Sequence, residues 1–166
     1  MDYGIGDLVV YVPVGVCRVQ GCEDKCLDGR NHRQYIVLVP EAGAGTVCYL
    51  PADMAEQKLR SLRSQDEVNS IIDRIPAIEP CEAAPRSDRR TMFSDILKSD
   101  DALKIISLVK LLLTHRDQRE QAGKHLAAGE EAALKTALAI VSQEFAIVLG
   151  ISEDEAEQRI CDKLSA

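Results

Sequence analysis

Hydrophobic and polar positions change their period along the chain. In residues 1–60 short β-branched or aromatic runs recur: Leu8-Val9-Val10-Tyr11, Val16-Cys17-Arg18-Val19, Tyr35-Ile36-Val37-Leu38-Val39 and Thr46-Val47-Cys48-Tyr49-Leu50. Turn formers separate them: Pro13 and Gly15, Asp28-Gly29, then Gly43 and Gly45. This pattern predicts four or five short antiparallel strands. Asp28-Gly29 is a hairpin signal, because both residues tolerate positive φ. A sheet that small needs closure or a partner to manage its edges. The expectation is therefore a small antiparallel β-barrel or curled sheet.

After Pro51 the spacing becomes helical, with Leu59, Leu62, Val68, Ile71, Ile72 and Ile75 in phase. Ser64 with Glu67 predicts a capping box, and Pro76 and Pro80 end that helix. Residues 76–87 carry three prolines and read as a linker. Beyond them the chain reads as a helical bundle. Asp100-Asp101 put acid at the start of a leucine-rich helix that runs to Arg116 and is apolar over most of its circumference, so it belongs at the centre. Gly123 and Gly129 bracket a turn region. Glu130 to Leu149 forms the longest helix, closed by Gly150 in the left-handed position. Ser152 with Glu155 starts a last helix. The whole is an α+β chain of two domains, 1–60 a sheet and 61–166 all-helical.

Composition narrows the function. The 166 residues are 46% hydrophobic and 28% charged, an ordinary globular balance. Aromatics are 4% and Trp is absent, so stacking platforms for single-stranded nucleic acid are nearly excluded. Net charge is -7, the wrong sign for bulk attraction to nucleic acid. Charge is uneven, however. Residues 86–116 hold seven basic against four acidic side chains, and residues 117–166 hold five against ten. The basic cluster after residue 85 is the one local patch suited to phosphate. Arg86, Arg89 and Arg90 sit at a helix N-terminus, where cations are disfavoured unless they serve something outside the helix.

No stretch reads as apolar for 18 residues, so no membrane span is expected. The start, Met1-Asp2-Tyr3-Gly4, has no basic n-region or apolar h-region, so a cytoplasmic protein with reduced thiols is expected. Chemistry-bearing motifs are few. There is no nucleophile elbow, P-loop, HExxH or CxxC. Gly4-Ile5-Gly6-Asp7 precedes a strand where a phosphate loop would need a helix. Among the three histidines, His32, His115 and His125, His115 is placed at a helix end by the pattern. Cys22 and Cys26 at C-x3-C spacing, with His32 nearby, are weak zinc candidates; Cys81 in the linker is the thiol expected to react most readily. The strand Thr46–Leu50 is either an exposed edge open to strand addition by a partner or an ordinary closing strand. No enzyme and no cofactor is expected.

Gly6-Asp7-Leu8-Val9-Val10-Tyr11, Pro13, Gly15-Val16 and Val19, followed by Tyr35-Ile36-Val37-Leu38, Leu50-Pro51 and Leu59-Arg60, resemble the start of the CarD/CdnL family of bacterial transcription regulators. The module also occurs in transcription-repair coupling factor. Arg89-Arg90, the leucine-rich helix, Glu144 and Ser152-Glu153-Asp154-Glu155-Ala156-Glu157 extend the resemblance over nearly the whole chain. It implies a Tudor-like or SH3-like N-terminal domain that docks on the RNA polymerase β subunit. Docking would fall on Lys25 and on Thr46, Val47, Cys48, Tyr49, Leu50 and Pro51. It also implies a helical domain that touches promoter DNA at the upstream edge of the bubble, through Arg86, Ser87, Arg89 and Arg90. The family's wedging Trp stands where this chain has Ser87, and a serine cannot unstack bases. The family's Tyr-Pro-x-His-Gly run is Tyr11-Val12-Pro13-Val14-Gly15 here. The alternatives are a protein-only adaptor on the polymerase without DNA contact, and a small cysteine-based metal-binding or redox protein.

Overall fold

β-branched residues lose little by adopting extended backbone and pack well on a pleated surface. The early runs accordingly form strands. The computed structural model describes residues 3–12, 14–43 and 45–166. Its first elements are β1 (Leu8–Tyr11), β2 (Gly15–Lys25), β3 (Arg33–Pro40) and β4 (Cys48–Pro51). A 3-10 turn (Ala52–Met54), the single-turn α1 (Ala55–Lys58) and β5 (Leu59–Ser61) follow. All pairings are antiparallel, in the spatial order β4-β3-β2-β1-β5.

That order corrects the expected barrel or curled sheet. The sheet is open: β4 and β5 are its two edges, and no pairing joins them among the described residues. Closure is replaced by cover. Ala55 and Leu59, with Ala52 and Met54 beside them, complete an apolar cluster with Val9, Cys17, Val19, Ile36, Leu38 and Leu50. The edges themselves are only four and three residues long, one of the ordinary ways of keeping an open sheet from pairing with copies of itself.

Three other expectations change. Leu59 was expected in helical phase but lies in β5, opposite Tyr11, where it fills the sheet core. β2 runs on through polar Glu23 and Asp24, past a register shift between Val19 and Gly21. Its far end is an exposed arm with no apolar face to betray it. The turn signal at Asp28-Gly29 lies inside a longer loop: Asp28 Oδ1 accepts from the N–H groups of Arg30 (3.0 Å) and Asn31 (2.9 Å), and Gly29 has φ 73°. The turn expected at Pro13 lies outside the described residues.

The chain divides into two compact units, Met1–Leu62 and Arg63–Ala166. The second holds α2 (Gln65–Arg74), α3 (Arg89–Lys98), α4 (Ala102–Gln121), α5 (Ala128–Leu149) and α6 (Glu153–Leu164). Local chemistry starts and stops them. Ser64 Oγ accepts from Glu67 N–H at 3.1 Å while Glu67 Oε2 accepts from Ser64 N–H at 2.7 Å, a reciprocal box. Asp101 and Ser152 each cap with the side chain, accepting from Lys104 and Glu155 N–H. Gly150 closes α5 at φ 69°. α4 continues past Arg116 to Gln121, so His115 lies inside that helix and not at its end as expected.

Ile105, Ile106, Leu108, Val109 and Leu112 of α4 are fully or almost fully buried against α5, which contributes Leu134, Ala137, Leu138, Val141 and Phe145. Residues 76–87 lie in this unit. Ile78 and Cys81 pack on the helical core, Lys110 Nζ donates to the Ile78 carbonyl at 2.6 Å, and Cys81 N–H donates to the Ser107 carbonyl at 3.4 Å. One further expectation is corrected: α5 is long and apolar enough to cross a membrane by length and composition, with mean hydropathy 1.6 over 18 residues. Half of that window is buried inside the unit, and its one carboxylate, the buried Glu144, pairs with Arg63. These are the marks of a bundle's central helix.

Candidate functional site

Two surfaces collect the candidate residues, one in each unit. On the sheet, β4 pairs with β3 alone among the described residues and so has an open side. Alternation divides its residues. Cys48 and Leu50 turn to the core cluster, where Leu50 is buried. Tyr49 lies on the opposite face, directly across from Val37. Thr46 and Val47 precede the strand and are exposed, and Thr46 N–H closes a turn onto the Gly43 carbonyl. The strand begins two residues later than expected because Gly45, at φ 81°, belongs to that turn. Pro51 pairs with Tyr35 at the strand's end.

Lys25, the last residue of β2, reaches across β3 to this strand. Its Nζ donates to Tyr49 Oη at 2.9 Å, stands 4.2 Å from the ring centroid and pairs with Glu23 at 3.1 Å. The hydrogen bonds to Tyr49 and then Glu23 hold the ammonium above its ordinary pKa, so it stays charged at neutral pH. The surface therefore offers an open strand edge, an aromatic ring, an apolar Val47 and a fixed positive charge. That combination suits a polypeptide with an available strand and acidic neighbours.

In the helical unit, Arg86, Ser87 and Arg90 are exposed. Ser87 Oγ lies 3.4 Å from Asp88 Oδ1. Arg89 is different. Its Nη1 donates to Oε1 of buried Glu130 at 3.0 Å, and its Nε donates to the Ala84 carbonyl at 3.3 Å. Of the three arginines that look out of place at a helix start, this one is occupied within the protein. Glu130 was missed. A first-turn acid is what the helix dipole favours, so nothing in the sequence marks it as buried. Glu144 had a visible signal, being a carboxylate in the apolar run Ala139–Val148. Its Oε2 accepts from the Arg63 backbone N–H at 2.9 Å, and its Oε1 takes the Arg63 guanidinium.

The cysteine candidates do not converge. Cys22 is exposed on β2, Cys26 Sγ lies 3.8 Å from Asp28 Oδ1, and His32 Nδ1 lies 3.3 Å from Asp24 Oδ1. No group of three His, Cys, Asp or Glu suited to a metal ion forms among the described residues. Cys81 was expected to be the readiest thiol. It is half-buried against the helical core, and burial pushes its pKa up, which lowers its thiolate fraction.

Comparison with known families covers both units. Residues 3–63 match the CarD-like/TRCF RID domain, and residues 70–161 match the CarD C-terminal domain.

Proposed function

Because the chain belongs to the CarD/CdnL family of RNA-polymerase-associated transcription regulators, whose modules are not catalytic, we propose that it docks on the polymerase β subunit through the β4 edge. Lys25, Val47 and Tyr49 carry the contact, while Cys48 and Leu50 hold the strand to its own core. The observation that supports this reading most is the Lys25–Tyr49 pair beside an open strand edge. The helical unit then meets promoter DNA near the upstream edge of the bubble. Arg86 and Arg90 supply phosphate contacts there, and Ser87 supplies no wedge. The setting is the bacterial cytoplasm, as for the family.

The test is binding of the purified protein to the isolated polymerase β lobe, beside a Val47→Glu/Tyr49→Glu variant shown by circular dichroism to be folded. Binding by the wild type and its loss in the variant are expected. Equal binding by both places the contact elsewhere. A second reading, an adaptor that never touches DNA, is favoured by the capture of Arg89 inside the protein and by the net charge of -7. It predicts that Arg86→Glu and Arg90→Glu leave promoter binding in the polymerase complex unchanged. The DNA reading predicts weaker binding with a shallower salt dependence.

A further inference from the structure

Glu130 is 5% exposed, yet one of its two oxygens, Oε2, has no hydrogen-bond partner; His115 Nδ1 approaches it only to 3.7 Å. A buried carboxylate costs several kcal/mol unless it is paired, so Glu130 leans heavily on its bond to Arg89. The same guanidinium reaches back to the Ala84 carbonyl. Between those points the chain reverses through residues 85–88, with Asp88 N–H donating to the Pro85 carbonyl at 2.8 Å. Arg86 sits on this reversal and Arg90 in the first turn of α3. The usual helix-start devices are missing there. Asp88 makes no side-chain cap, and the first turn contains no acid.

We infer that Glu130 is a positioning residue for the DNA-facing segment. It does not meet DNA. By gripping Arg89, which grips residue 84, it sets the turn from which Arg86 and Arg90 project. This rests on the DNA contact proposed above. It assigns Arg89 to the scaffold of the interface and takes it out of the set of phosphate ligands.

Glu130→Gln separates this from plain electrostatics. The substitution keeps the shape and removes one negative charge near a basic segment, which by charge alone tightens binding to a polyanion. Positioning predicts the opposite sign. In the full-length protein, amide exchange at Asp88 and Met92, whose N–H groups donate to the Pro85 and Asp88 carbonyls, rises by about tenfold or more as the charge-assisted bond is weakened. Promoter binding with RNA polymerase weakens, and its log–log salt slope falls by about 0.9 for each phosphate contact no longer made. Arg89→Lys is the second variant. It keeps the charge but not the fork that spans Glu130 and Ala84, and the same loosening and weakening are expected. A global loss of stability would not flatten the salt slope of the folded fraction.

Unchanged exchange at Asp88 and Met92 in Glu130→Gln overturns the inference. So does tighter promoter binding, which would mean that Glu130 withholds Arg89 from DNA. Weakened binding in Arg86→Glu and Arg90→Glu with normal binding in Glu130→Gln also overturns it, and leaves the DNA reading standing. If Arg86→Glu and Arg90→Glu both bind promoter normally, the DNA reading itself falls and the inference falls with it.

Discussion

Replacing Arg63 by Met removes a guanidinium that serves three points of the helical unit. It pairs with Glu144 on α5, donates from Nη2 to the Asp100 carbonyl at 2.9 Å, and stands 4.0 Å from the Asp100 carboxylate. Asp100 is the one non-glycine residue with positive φ among those described, at 57°, so this bond holds a turn that is itself unfavourable. The Glu144 side chain is 5% exposed and that of Arg63 is 20%. Removing one partner of a buried pair costs about 3–5 kcal/mol. Arg63 is partly solvated and its backbone N–H still serves Glu144, which points to the lower end, about 3 kcal/mol. For a unit of this size that is roughly 10–15 °C in Tm. Urea and thermal unfolding followed by circular dichroism at the helix band measure both. The companion double variant Arg63→Met/Glu144→Leu leaves no buried charge behind and is expected to recover about 1 kcal/mol or more of the loss. A cost below about 1 kcal/mol for Arg63→Met would mean that the pair behaves as a surface pair. A double variant as unstable as the sum of the single ones would show that the two side chains are not coupled. Either result refutes the reasoning.

Other expectations follow from single groups. Burial pushes the Cys17 thiol up to about 11 from 9.0. A raised pKa gives stability that is complete below pH 9 and is lost as pH rises from 9 through 11. The sheet unit should weaken over that window, and Cys17→Ala should flatten the difference in pH-dependent urea midpoints. Gly150→Ala meets no atom within 4 Å but forces alanine to φ 69°, so it should cost about 1 kcal/mol by backbone conformation alone, read as a lower Tm. Ser64→Ala removes the hydroxyl of the capping box and should cost about 1 kcal/mol by urea titration.

Much of the fold was legible because it is written in local terms. The runs at Leu8–Tyr11 and Tyr35–Val39 are short, β-branched or aromatic and bounded by turn formers, and strands lie there. Ser64, Asp101, Ser152 and Gly150 cap helices because their side chains or φ preferences act within one turn. The misses are of another kind. β5 is three residues long, too short to show a period, and it exists because β1 has a second edge to fill. The sheet is open where a small barrel or curled sheet was expected, because the segment 52–58 covers it and no local pattern announces that cover. α5 passes for a membrane span because hydropathy counts its residues without seeing that half of them are buried in the unit or where Glu144 finds its arginine.

The candidate site divides in the same way. Tyr49 was legible as an aromatic ring in a strand-like run and Lys25 only through the family resemblance, and their contact spans 24 positions and depends on the register of three strands. Arg86, Arg89 and Arg90 look alike in the sequence. By itself it determined where cations cluster, which residues cap, and which face of each element is apolar, since those depend on neighbours within a few positions. Only the tertiary structure decided that Arg89 points inward while Arg86 and Arg90 stay exposed. The reason is that Glu130, 41 positions away, is buried and must be paired.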